Sequence, residues 1–327
     1  MPHIDRDGRH PTTVRPQAPV TTALLVRRAR ELERHLPTAI AGDDTGVHQA
    51  RVASRRLREA VPVLAAGMKR GRKAQRKIRR VTRALGTVRE MDVTMQILDE
   101  LARRPDISRN ALEDVRAHVL AERDRRHEAM IERLKRVDTP KLNRRLDQVA
   151  SALAEGTTAW REVLSVRLGR RAARFERAIE KAGQMYAPER LHAVRIATKK
   201  LRYALELAAD SGLPAARPLI ATLKRAQTTL GRLHDLHVIQ GHVAEVQAHP
   251  TSRQEGTNHR GLEAINRTLE EECRHLHARY IKHAPALLEV AGKTRSTVLV
   301  QLAVPSRRRA PLKMIRTAAE RPAAKEA

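Results

Sequence analysis

Two stretches of the chain carry an imidazole followed by a ladder of cations. Val47-His48-Gln49-Ala50-Arg51-Val52-Ala53-Ser54-Arg55-Arg56-Leu57-Arg58 is matched, 144 residues on, by Leu191-His192-Ala193-Val194-Arg195-Ile196-Ala197-Thr198-Lys199-Lys200-Leu201-Arg202. On a helix turning roughly 100° per residue, His48, Arg51, Arg55 and Arg58 fall within an arc of about 80°. Ala50, Ala53, Leu57, Val61 and Leu64 gather opposite. The second copy sets His192, Arg195, Lys199 and Arg202 against Ala197, Leu201 and Leu205. Guanidinium forks and lysine point charges of this kind are chemistry for phosphate oxygens.

Neither stretch holds an acid. A solvated helix face gains a few tenths of a kcal/mol from each Glu–Lys pair at i,i+4, and like charges at that spacing cost about as much. The same cost recurs in Lys69 to Arg83, with nine Lys or Arg and no acid in fifteen residues. Its counterpart, Arg217 to Arg232, has Arg217, Lys224, Arg225 and Arg232, again without an acid. An external polyanion would offset that repulsion. The plainer account is a set of solvated basic helices, which leaves the recurrence of the pattern in both halves unexplained.

The rest of the chain agrees with an anionic partner. Lys plus Arg number 65 against 37 Asp plus Glu, a formal charge of +28. Such an excess calls for nucleic acid, an acidic membrane surface or inorganic polyphosphate. Aromatics make up 2%, namely Trp160, Phe175, Tyr186, Tyr203 and Tyr280. That supply is too small for modules that stack single-stranded bases, and it also argues against a β-sandwich or barrel core. Cys273 is the single cysteine, so an internal disulfide and a cysteine-rich zinc site are both excluded. The start lacks a signal-peptide layout, and no apolar run approaches the ~20 residues of a membrane span. A cytoplasmic protein is expected.

The elements that must position these residues read as helices throughout. Leu24, Leu25, Ala29, Leu32, Leu36 and Ile40 keep a 3.6-residue period until Gly42, and Asp43, Asp44 and Thr45 offer N-caps for a helix through Met68. Gly71 and Gly86 punctuate the next turns, Ile107 to Val137 is one long charged helix, and Thr139-Pro140 opens another. Residues 1–17 read as a flexible leader and 293–327 as a basic, disordered tail.

A second match extends the first. Leu85-Gly86, Arg89-Glu90 and Val93 line up with Leu230-Gly231, His234-Asp235 and Val238, at an offset of 145. Two matches in the same order at nearly one offset predict a tandem duplication, with halves 18–150 and 151–292. Each half is expected as a four-helix up-and-down bundle, the two packing with pseudo-two-fold symmetry.

The paired His-x-x-Arg-x-x-x-Arg/Lys-Arg/Lys-Leu-Arg pattern, with Leu-Gly-x-x-x-Asp/Glu after it, resembles the CHAD domain (conserved histidine α-helical domain) over about residues 18–292. The resemblance implies two bundles around a basic cleft that binds inorganic polyphosphate, in proteins that collect at polyphosphate granules. Carried over by position, the polyphosphate-binding residues are His48, Arg51, Arg55, Arg56 and Arg58 with His192, Arg195, Lys199, Lys200 and Arg202. Arg79, Arg80, Lys224 and Arg225 match the following basic helix. Glu90 stands where the family more often has Asp, and His237 replaces an acidic or apolar residue.

Two other readings compete. A nucleic-acid binder fits the charge, yet no helix-turn-helix, zinc finger or basic zipper is present. An enzyme or metal protein is suggested by fifteen histidines and by His234-Asp235-Leu236-His237. A helix lets His234 and His237 supply two ligands at most, however, and no P-loop, Gly-x-Gly-x-x-Gly, His-Glu-x-x-His or Gly-x-Ser-x-Gly occurs. No catalytic residue, metal or cofactor is expected. His48 and His192 are either neutral imidazoles bonded within the bundle or donors facing the cleft.

Overall fold

The computed structural model describes residues 20–86, 88–155, 159–248 and 255–303. Among these residues every regular element is a helix, as the sequence predicts. In order they are α1 (Val20–Ile40), α2 (Asp44–Leu64), α3 (Lys69–Ala84), α4 (Val88–Leu101), α5 (Arg109–Lys135) and α6 (Thr139–Glu155). There follow α7 (Trp160–Ala182), α8 (Pro188–Asp210), α9 (Ala216–Ala248), α10 (Glu255–Lys293), one π-turn (Thr294–Val298) and α11 (Leu299–Ala303). The leader expected at 1–17 lies outside the described residues. No described helix is long and apolar enough to cross a membrane.

The two ladder helices form as the sequence directs. Gly42, at φ 89°, takes the left-handed conformation that ends α1 and reverses the chain. Asp43 then caps α2, its carboxylate accepting from the Gly46 N–H. A Cβ on Gly46 would come within 2.8 Å of the Ala39 nitrogen, so glycine lets the first turn of α2 lie against the end of α1. Ala50, Ala53, Leu57, Val61 and Leu64 are all buried, and so are Leu201 and Leu205 of α8. Ala197, read as a core residue, is only half-buried and borders a surface cavity instead. A buried hydroxyl recurs at the matched positions: Ser54 donates to the Arg51 carbonyl and Thr198 to that of Val194.

α2 packs against α1 and α3, α8 against α7 and α9, and α2 meets α8 directly. α4 and α5 lie on α9, and α10 closes against α9, α7 and α5. One continuous apolar core joins all of these, with Leu25, Leu57, Ile78, Met91 and Phe175 fully covered.

Three expectations need correcting. The first half holds six helices rather than four: its Leu-Gly ends a helix, where the second Leu-Gly does not, and a turn after Lys135 separates α5 from α6, where the second half has the single α10. Leu85 closes α3, and the Gly86 N–H turns back to the Arg83 carbonyl at 3.1 Å. Gly231 instead lies inside α9, an uninterrupted helix of 33 residues. The boundary at 150/151 falls within α6, which runs on to Glu155 and packs on α1 and α3. The tail does not begin at 293. The π-turn and α11 continue the chain as helix to Ala303, burying Val298 and Leu302, with α11 packed on α7. Apolar side chains that find a groove outweigh the basic composition of the segment. Residues 304–327 lie outside the described set.

A basic cleft between α2 and α8

The contact between α2 and α8 brings the two ladders together. Burial is the main cause that holds Arg51 down to about 10, and the neighbouring Arg55, Arg89 and Arg195 add to it. Lys199 is pushed down to about 7, first by burial and then by Arg195, Arg55 and Arg51. Arg195 is lowered as well, by burial and by Arg55 across the cleft. Cations from residues 51–55 and 195–199 therefore share one field.

Two further elements border this group of cations. The first turn of α4 contributes Arg89 and Glu90, and the middle of α9 contributes His234 and Asp235. His234 and the Arg126 guanidinium, which donates to Glu90 at 3.0 Å, hold the Glu90 carboxyl down to about 2. Burial raises the Asp235 carboxyl against the pull of Arg195, His234 and Lys199. His192 Nδ1 lies 3.1 Å from His234 Nδ1, and His234 Nε2 lies 3.6 Å from Glu90. Both motif histidines are exposed. Burial first, then adjacent cations, lowers His48, and the same cause together with His234 lowers His192. His48 also opens onto a groove of about 560 Å³ shared with Arg89, Asp92, Asp99 and Arg123.

The cleft differs from the rest of the protein in how its charges are partnered. Several buried or half-buried arginines elsewhere are paired: Arg28 with Asp210 at 2.7 Å, Arg167 with Glu59 at 2.6 Å, Arg123 with Asp92 at 3.0 Å, Arg232 with Glu272 at 2.7 Å. Among the described residues, Arg51, Arg55, Arg89, Arg195 and Lys199 make no ion pair. The Nε atoms of Arg51 and Arg195, at matched positions, are buried without a hydrogen-bond partner. Buried guanidinium nitrogens are costly to leave in that state, and the Nε of Arg202 shares it.

Of the residues expected to bind, His48, Arg51, Arg55, His192, Arg195 and Lys199 converge, and Arg58 extends the group through its coupling to Arg55 and Arg79. The others point elsewhere. Arg56 pairs with Glu31 at 3.7 Å and, with Lys224, lines a separate cavity of about 440 Å³ beside Asp210. Arg79 and Lys200 border a cavity of about 1020 Å³ that Val163, Val166 and Ile196 also line. Size does not locate the convergent cations here; charge does. Arg202 is bound to Glu206 and lies 4.5 Å over the Tyr203 ring. Arg80 and Arg225 are exposed, and Arg225 donates to the Thr222 hydroxyl at 3.3 Å.

Arg89, Glu90, His234 and Asp235 were not among the expected binding residues, although the second repeat match is the signal that marks them. His234 and His237 do not converge on a common point. His237 Nε2 meets the Tyr186 hydroxyl at 2.8 Å, and its Nδ1 meets Gln240 at 2.9 Å.

Similarity to known proteins agrees with this architecture. PptA from Streptomyces chartreusis superposes with a TM-score of 0.56 at 16% identity, covering 84% of this chain and 98% of that one. The crystal structure of the CHAD domain from the plant Ricinus communis superposes with a TM-score of 0.50 at 24% identity, covering 85% of this chain and 92% of its own. No curated protein matches the chain. The family model for the CHAD domain matches residues 23–244, a span that holds both ladders and the cleft between them, and the chain belongs to the CHAD domain family.

Proposed function

We propose that the protein binds inorganic polyphosphate along the cleft between α2 and α8. The observation that carries this reading is that Arg51, Arg195 and Lys199, largely buried cations of the two ladders, have no counter-ion, whereas the buried Arg28 and Arg171 are each paired with a carboxylate. Polyphosphate offers about one charge per phosphate along a flexible chain and no bases. A track of unpaired guanidinium and ammonium groups suits it, and stacking platforms are unnecessary. Arg51, Arg55, Arg195 and Lys199 supply the central contacts, Arg58 and Arg89 continue the track, and His48 and His192 flank it. Glu90 is already paired with Arg126, so it opposes the anion little. The protein acts as a binding module rather than an enzyme, with a cytoplasmic role at polyphosphate granules.

The test is competition for the full chain between long-chain polyphosphate and duplex DNA or RNA of matched charge, at physiological salt. Polyphosphate is expected to displace both nucleic acids, with binding that weakens steeply as salt rises. Preference for DNA or RNA would replace this reading with the nucleic-acid one.

A further inference from the structure

Where α5 packs on α9, three side chains outside the cleft meet. His118 comes from α5, and His242 and Glu245 come from α9, one turn apart. His118 Nε2 lies 2.8 Å and His242 Nδ1 3.3 Å from the same oxygen, Glu245 Oε2. The two imidazole rings are 5.4 Å apart, and one ligand atom from each of the three residues falls within 4.8 Å of the others. His242 is buried at 6% exposure, His118 is half-buried, and Glu245 faces solvent. We infer that His118, His242 and Glu245 form a binding site for a divalent transition-metal ion of the zinc class, bridging α5 to α9.

The geometry admits an ion in place of the ion pair. Zinc held tetrahedrally at about 2.0–2.1 Å from its ligands sets neighbouring donor atoms about 3.3 Å apart. The His242–Glu245 separation has that length, the 2.8 Å between His118 and Glu245 must open by about half an ångström, and all three donors already lie within 4.8 Å of one another. One carboxylate oxygen facing two imidazoles is the same arrangement with protons where the cation would sit. Two nitrogens and one carboxylate oxygen select zinc, cobalt or nickel over magnesium or calcium, which prefer all-oxygen shells. Three protein ligands leave a fourth position to water. Because His242 and Glu245 are spaced i,i+3 on one helix, α9 presents both on one face, and the single ligand from α5 turns the site into a clip between the two halves. This inference stands apart from the polyphosphate reading.

The site is tested on the full chain, without a histidine tag, stripped with chelator and titrated with Co²⁺ and then Zn²⁺ in the absence of polyphosphate. The expected result is one Co²⁺ per chain with the strong visible absorption of a four-coordinate ion, displaced by Zn²⁺, and a melting temperature that rises with Zn²⁺. His118→Gln and Glu245→Gln alter side chains that reach solvent, so both variants should fold. Each should weaken metal binding at least about tenfold, the scale set by loss of mere outer-shell partners. His259→Gln, which touches only the exposed pair with Glu263, should leave it unchanged. The pale spectrum of six-coordinate cobalt, or binding that survives His118→Gln and Glu245→Gln, would overturn the assignment.

Discussion

His192 Nδ1 and His234 Nδ1 face each other at 3.1 Å, so one proton serves both atoms. One ring donates and the other accepts, and His234 turns its far nitrogen toward Glu90. α8 and α9 are thereby tied to the first turn of α4.

Proton uptake should accompany binding. Lys199 titrates near 7 in the empty cleft, and its pKa must rise when an anion arrives; His48 and His192 follow the same direction. Polyphosphate affinity is expected to increase as pH falls from about 8 to 6, read by calorimetry in buffers of different protonation enthalpy. The empty protein should behave oppositely. Between the folded value near 7 and the unfolded value of 10.5, the unfolded chain holds the extra proton, so stability rises with pH across that window. Lys199→Met should flatten the stability profile and make the affinity profile shallower, leaving the part due to His48 and His192, and a wild-type profile that is already flat would remove Lys199 from the site.

Replacing Arg51, Arg55, Arg195 and Lys199 together by Gln should weaken polyphosphate binding and lower its salt slope by about 0.7 per cation removed, by analogy with single-stranded nucleic acid. The unliganded variant should melt higher than the parent. Arg51 with Arg55 and Arg195 with Lys199 are like-charge pairs at i,i+4, each costing about 0.2–0.5 kcal/mol. A lower melting temperature would show that these side chains support the fold instead.

Glu59 makes the opposite case. It is buried at 6% exposure and bonded to Arg167 and Arg171, joining α2 to α7. Glu59→Ala strands two guanidinium groups and should cost about 3–5 kcal/mol in urea unfolding. Polyphosphate affinity of the folded fraction should stay near that of the parent. An unchanged urea midpoint would mean that the pair is already solvated.

The all-helical class, the span of α1 and the apolar face of α2 were legible because periodicity and capping act locally. The convergence of Arg51 with Lys199 was legible only through the repeat. What escaped depends on neighbours. Arg55 and Arg56 are adjacent, so about 100° of helix separates them and a single cleft cannot hold both; Arg56 turns to Glu31. Lys199 and Lys200 part in the same way. Gly86 and Gly231 look alike in sequence, yet one ends a helix and the other lies within one, since the surrounding contacts decide. His118 lies 124 residues before His242, and no spacing rule links such positions.

The bonds from Arg28 to Asp210 and from Glu59 to Arg167 and Arg171 have one more consequence. Each joins an ion in the first half to its neutralising partner in the second. Severed between α6 and α7, the first fragment would be left with Arg28 and Glu59, both buried in the intact chain, without the groups that balance them. The fragments are thus obliged to mature as a unit, and mixing them should restore what neither sustains by itself.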